Sequence, residues 1–161
     1  MKRVLLLVTL AFLGSGMSRA QGSYFGFGAS LSRSSQYGLT PLLSAQIGRP
    51  AAPEFGGFEL RATFDTLILF SDVGLDALTS VRHPDASLRL YLGGGPDVLV
   101  FMAVDPLPGQ EGPLVFFGAH GTVGLEALTS GVRPFAELQP AAALIYDEPV
   151  FGLRLRVGLN L

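Results

Sequence analysis

The chain has no cysteine and no tryptophan, and its one lysine is Lys2. Without cysteine there are no disulfides, no thiolate chemistry and no lipid attachment at a cysteine. Histidine occurs twice, at His83 and His120. Two separated imidazoles with no thiol give no reason to expect a metal centre. Charged residues make up only 15% of the chain, against about 25% in ordinary soluble domains. Beyond residue 20 no apolar run approaches the roughly 20 residues a membrane-spanning helix needs. The longest is the stretch 98–104, VLVFMAV. The glycine run Leu92-Gly93-Gly94-Gly95-Pro96 has no Gly-Lys-Ser/Thr after it, which excludes a phosphate loop. Close backbone packing or a strand bend accounts for such glycines. Residues 21–161 carry eight arginines and thirteen acids, a net charge of −5. That is the wrong sign for a nucleic-acid partner.

What the chain does have is apolar content, 48% of residues with a mean hydropathy of +0.44. The start reads Met1-Lys2-Arg3, then an apolar stretch over 4–13, then small residues up to Ser18-Arg19-Ala20. This pattern predicts a signal peptide over 1–20, cleaved after Ala20, and a single domain over 21–161. An apolar exported chain with no helix able to cross a bilayer points to a closed barrel. Only helices and closed barrels satisfy every backbone group in lipid.

The last eleven residues are the most informative. Phe151, Leu153, Leu155, Val157, Leu159 and Leu161 are apolar, and Gly152, Arg154, Arg156, Gly158 and Asn160 alternate with them. Strict alternation makes a strand with one oily and one wet face. This segment resembles the closing strand of a bacterial outer-membrane β-barrel, including the C-terminal signal read by the barrel-insertion machinery. That signal most often ends in Phe, and Leu161 departs from it. Glycine and proline punctuate the rest at short intervals. The pattern predicts eight strands, near 23–32, 38–48, 57–67, 71–79, 87–103, 114–128, 133–146 and 150–161. The expected fold class is all-β, an eight-stranded antiparallel up-and-down transmembrane β-barrel. Arg133-Pro-Phe-Ala-Glu-Leu138 and the glycine-rich 88–96 are similar to strand segments of small outer-membrane barrels of the OmpA/OmpX type.

Alternation recurs in the third strand, where Phe58, Leu60, Ala62 and Phe64 oppose Glu59, Arg61, Thr63 and Asp65. It recurs in the sixth, where Phe117, Ala119, Val123 and Leu125 oppose Gly118, His120, Thr122 and Glu126. Two copies of one motif, VGLDALTS at 73–80 and VGLEALTS at 123–130, read as equivalent strand–turn units with both turns at the periplasmic end. Two stretches do not fit. Residues 66–70 are apolar where an exposed loop is expected, and 98–104 does not alternate. Aromatic residues near strand ends suggest interfacial girdles. Tyr24, Phe25, Phe58 and Phe135 fall on the periplasmic side, and Tyr37, Phe70, Tyr146 and Phe151 on the outer side.

The wet faces carry Glu59, Arg61, Asp65, Asp76, Arg89, Glu126, Glu137, Arg154 and Arg156. A small barrel holds no aqueous channel, so these charges are expected to pair inside it as a structural lumen network. Arg154 and Arg156 are expected to reach acids such as Glu137 on the neighbouring strand. His120 and Thr122 share a face, and lipid-hydrolysing barrels use a His–Ser pair two apart. Here the phase points His120 inward and the partner is Thr, which favours a satisfied lumen histidine.

The expected function is a non-catalytic outer-membrane barrel with a structural or surface-interaction role and no large pore. Expected partners are outer-membrane lipid and the insertion machinery, with no cofactor, no metal, and a monomeric state. Two alternatives remain: a soluble exported lipocalin-like barrel with an apolar ligand, and a lipid-modifying outer-membrane enzyme resting on His120. Lipocalins usually carry a Gly-x-Trp that this chain lacks. Alternation alone leaves open which face is outside.

Overall fold

The computed structural model describes residues 22–35, 38–51, 57–67, 70–81, 87–102 and 112–161. They form eight strands: β1 (Tyr24–Ser34), β2 (Gly38–Arg49), β3 (Glu59–Leu67), β4 (Phe70–Val81), β5 (Leu88–Phe101), β6 (Leu114–Ala127), β7 (Arg133–Ile145) and β8 (Glu148–Asn160). Each strand pairs antiparallel with its sequence neighbours, and β1 pairs with β8, so the sheet closes into a barrel. Closure leaves no edge strand for another chain to pair with. No described helix is long and apolar enough to cross a membrane. The expected leader over 1–20, and Tyr37 and His83, lie outside the described residues.

One end of the barrel, the terminal end, holds the starts of β1, β3, β5 and β7 and the ends of β2, β4, β6 and β8, with Tyr24 and Asn160. The other, the hairpin end, holds the opposite strand ends and the β7–β8 turn. That turn is two residues, with Ile145 paired to Glu148. Tyr146 and Asp147 both have positive φ, 52° and 64°. Positive φ at both central residues is the signature of a hairpin turn whose twist matches its strands.

Every strand splits by parity. The apolar set faces out: Phe117 is 70% exposed, and Leu43, Leu75, Leu155 and Phe151 are also exposed. The charged set faces the axis, with Arg156 and Glu137 each 1% exposed. The outward positions of β8 run from Phe151 to Leu159. At about 3.4 Å per residue and a tilt near 40°, that is a belt roughly 20 Å tall, close to the ~25 Å apolar band of a membrane barrel. Exposed Arg33 on β1 and Arg49 on β2 sit at opposite rims. Between those rims no described strand turns a charged side chain outward. The two motif copies have equivalent phase, with Val73 and Val123 both outward and Asp76 and Glu126 both inward. Both copies run toward the terminal end, where β4 and β6 close.

Of the first misfit stretch, Thr66, Leu67 and Phe70 belong to strands and not to an exposed loop: β3 runs to Leu67, β4 starts at Phe70, and the two pair. In β5, Val98 and Val100 face outward, whereas Leu99 and Phe101 line a cavity inside the hairpin end. Alternation fails there because both faces are apolar. The girdle expectation is partly corrected. Phe25, Phe58, Tyr146 and Phe151 are exposed, but Tyr24 and Phe135 are buried in the lumen and Phe70 lines the cavity. Their parity puts them on the wet face, and cross-strand glycines give them space. Tyr24 lies opposite Gly48, Tyr91 opposite Gly124, and Phe135 opposite Gly158. A Cβ on Gly48 or Gly124 would fall within 2.3 Å of the facing ring. Each ring therefore lies over a glycine, filling the gap that the missing side chain leaves.

Candidate functional site

All nine charged residues predicted for the lumen face inward, and they form stacked layers of ion pairs. At the terminal end, Arg89 Nη1 lies 2.9 Å from Glu59 and Arg89 Nε 3.1 Å from Glu126. Tyr24 donates its hydroxyl hydrogen to Glu59 at 2.5 Å, and Asn160 donates to Glu126 at 2.8 Å. Arg133 reaches Glu126 from the mouth at 3.5 Å.

The middle layer centres on Glu137, Arg61 and Arg156. Arg61 donates to Asp76 at 2.9 Å and to Glu137. Arg156 donates to Glu137 at 3.2 Å and to Asp65. Tyr91 and Gln139 also donate to Glu137, at 2.6 and 3.2 Å. Carboxylates with several donors around each are the arrangement that makes buried charge tolerable.

Above this lies Arg154, bonded to Asp65 at 2.8 Å and to Asp72. Asp65 also accepts from Ser30 at 3.2 Å and from Ser44. The sequence expectation for Arg156 and Glu137 on adjacent strands matches this geometry. Arg154 differs: its acids are Asp65 and Asp72 on the far side of the barrel, and its cross-strand neighbour is Gln139. Cross-barrel reach depends on how far each strand is staggered, which alternation does not carry.

His120 sits between two acids, with Nε2 2.6 Å from Asp76 and Nδ1 2.8 Å from Asp97. Both nitrogens can donate at once only as the imidazolium. Thr122 donates to the same Asp76 oxygen at 3.1 Å. His120 and Thr122 thus share an acceptor within the lumen and do not form a base–nucleophile pair facing lipid. Among the described residues there is no group of three or more His, Asp or Glu arranged to hold a metal.

Asp72 and Asp97 are lumen residues outside the predicted network. Asp72 shares the phase of Asp76 in β4 and was legible as a wet-face residue. Asp97 was masked by the glycine-proline run before it and the apolar run after it. The outward side chains Phe151, Leu153, Leu155, Val157 and Leu161 are exposed to the surroundings, and Leu159 is half-buried.

At the hairpin end the ion pairs stop and an apolar vestibule of ≈220 Å³ opens. Phe70 and Phe101 line it, and ring contacts lead on from Phe101 to Phe116 and from Phe116 to Tyr146. Phe70 and Phe101 have centroids 4.9 Å apart, Phe101 and Phe116 5.7 Å, and Phe116 and Tyr146 5.3 Å. The lumen is thus a charged plug beneath a ring-lined cup.

No protein-family model matches the chain, and no curated protein does. Solved structures do. The N-terminal β-barrel domain of Pseudomonas aeruginosa OprF is 18% identical, covering 88% of this chain and 98% of that one, with a TM-score of 0.56. Neisserial surface protein A is 13% identical, covering 88% and 97%, with a TM-score of 0.63. The chain has the fold of the small eight-stranded outer-membrane barrels.

Proposed function

We propose that this chain is an integral outer-membrane β-barrel with a structural or surface-interaction role, no catalysis and no wide pore. The observation that carries the reading is the apolar belt, uninterrupted by charge between Arg33 and Arg49. A belt of large exposed side chains all round a monomer has no place in water. The lipocalin-like alternative needs the opposite arrangement, an apolar interior and a wet exterior. The lipid-modifying alternative needs a nucleophile on the lipid side, and His120 and Thr122 both lie inside on Asp76.

The lumen network of Glu59, Arg61, Asp65, Asp76, Arg89, Glu126, Glu137, Arg154 and Arg156 then serves as packing. It fills the barrel and fixes strand stagger with paired charge. The outward set of β8, from Phe151 to Leu161, serves the insertion machinery as a recognition strand and then meets lipid. The leader over 1–20 directs export and is cleaved after Ala20. The closed sheet favours a monomer, since no edge remains to extend.

Fractionation of cells expressing the full chain tests the proposal. The protein should sediment with the outer membrane, resist extraction by salt, and begin at Gln21. Recovery in the soluble periplasm without detergent contradicts it.

A further inference from the structure

We infer that the cup at the hairpin end binds a small amphiphile, a protonated amine on a short apolar body, with the ammonium held between Asp72 and Asp97. This goes beyond the membrane-barrel reading and does not depend on it.

The cup has two kinds of surface. Its walls include Leu99, Phe101, Ile145 and Val150, and its floor is Asp72, Asp97 and Arg154. The two acids lie on neighbouring strands with the same phase. Gly74 pairs with Asp97 and Asp72 with Leu99, so the carboxylates are diagonal neighbours across the β4–β5 ladder. An apolar wall over a polar floor selects a ligand with one apolar and one polar end.

The sign of the polar end follows from charge and from an unsatisfied atom. Asp72 is 1% exposed. One of its oxygens accepts from Arg154, and Oδ1 has no partner. A buried acceptor without a donor costs free energy until something donates to it. Among the described residues the lumen is short of positive charge. Seven described carboxylates are buried in it: Glu59, Asp65, Asp72, Asp76, Asp97, Glu126 and Glu137. The described cations facing them are Arg61, Arg89, Arg154 and Arg156, with Arg133 at the far mouth. Even with His120 counted as the imidazolium, these carboxylates outnumber these cations by one. The terminal nitrogens of Arg154 are already bonded to Asp65 and Asp72, so a ligand carboxylate would meet more repulsion than attraction.

An ammonium group brings three donors and one charge. It can satisfy Asp72 Oδ1 while its body covers the ring-lined wall. At ≈220 Å³, and about 30 Å³ for the share of one water, the cup suits a ligand of roughly seven to ten non-hydrogen atoms.

The test uses benzylammonium as probe, with benzyl alcohol and benzoate as controls of the same shape. Full-length protein folded into phospholipid nanodiscs is titrated, following heat and backbone amide shifts. Expected is saturable one-to-one binding of benzylammonium, at least tenfold weaker binding of the alcohol, and none of benzoate. Shifts should concentrate at Leu99, Phe101 and Ile145. Asp72→Asn should weaken the amine at least tenfold, Arg154 keeping Asp65. Leu99→Trp fills the cup without touching a charge and should abolish binding. It also supplies a second test should Asp72→Asn not fold. Equal binding of amine and alcohol overturns the inference. So does undiminished affinity in either folded variant, or no saturable binding of the amine at millimolar concentration.

Discussion

Replacing Arg156 with methionine should destabilise the folded barrel by about 3 kcal/mol. Arg156 is 1% exposed and donates to both Asp65 and Glu137. Methionine keeps much of the alkyl volume, so the change removes charge and donors more than packing. Breaking a buried ion pair from one side costs roughly 3–5 kcal/mol, because the partner stays buried and uncompensated. Here neither partner is left bare. Asp65 keeps Arg154, Ser30 and Ser44. Glu137 keeps Arg61, Tyr91 and Gln139. The loss should therefore sit at the low end of that range. Arg133 at the mouth is the control. Its side chain is partly solvated, and Glu126 keeps Arg89 and Asn160 without it, so its loss should cost about 1 kcal/mol, as for a screened pair. Because the chain has no tryptophan, denaturant unfolding in lipid vesicles is best followed by far-UV circular dichroism. Adding Glu137→Gln to Arg156→Met should recover part of the loss, since the second change removes a carboxylate that the first left with one cation fewer. A loss under about 0.5 kcal/mol for Arg156→Met, or one equal to that of the Arg133 variant, would refute a dry, paired interior.

Four further outcomes follow from the same geometry. Tyr91→Phe removes the donor to Glu137 and should cost about 1–2 kcal/mol in the same unfolding assay. Gly124→Leu drives a side chain into the Tyr91 ring, and should displace it at a cost of about 1–3 kcal/mol. Leu155→Arg, on the outer face in the middle of β8, should cost about 2–4 kcal/mol in a bilayer; the absence of a penalty would mean that this face meets water. Reconstituted protein in planar bilayers should show little stable conductance and no hydrolysis of lipid esters, before and after His120→Ala; porin-like conductance, or ester hydrolysis lost with that substitution, goes against the proposed function.

The sequence carried the strands well where the two faces differ in chemistry. In β8, β3 and β6 the alternation of leucine, valine and phenylalanine with charge fixes both the element and its phase. It fails where both faces are apolar, as at Leu99 and Phe101, because the cup inside is lined like the belt outside. Tyr24 and Phe135 show a second limit. Their phase was readable, but an aromatic residue near a strand end also fits an interfacial girdle, and only the register places each opposite a glycine. Pairing across the lumen was not legible at all. Arg154 finds Asp72 because of barrel stagger, which is a property of the closed sheet and not of any one strand. Asp97 joins His120 through the β5–β6 register, which sets Asp97 opposite Gly118 and Gly95 opposite His120 and so makes the two diagonal neighbours.

The central claim is that the apolar parity meets lipid and the charged parity is sealed inside. A single-cysteine scan along β8 tests it directly, since the native chain has no cysteine to interfere. Each position from Phe151 to Leu159 would carry a fluorophore in turn, in vesicles containing lipid-bound quencher. The account predicts strong quenching at 151, 153, 155, 157 and 159. At 154 and 156 it predicts weak quenching, with slow reaction toward water-soluble thiol reagents. Quenching in the opposite phase, or fast aqueous labelling at every position, would contradict it.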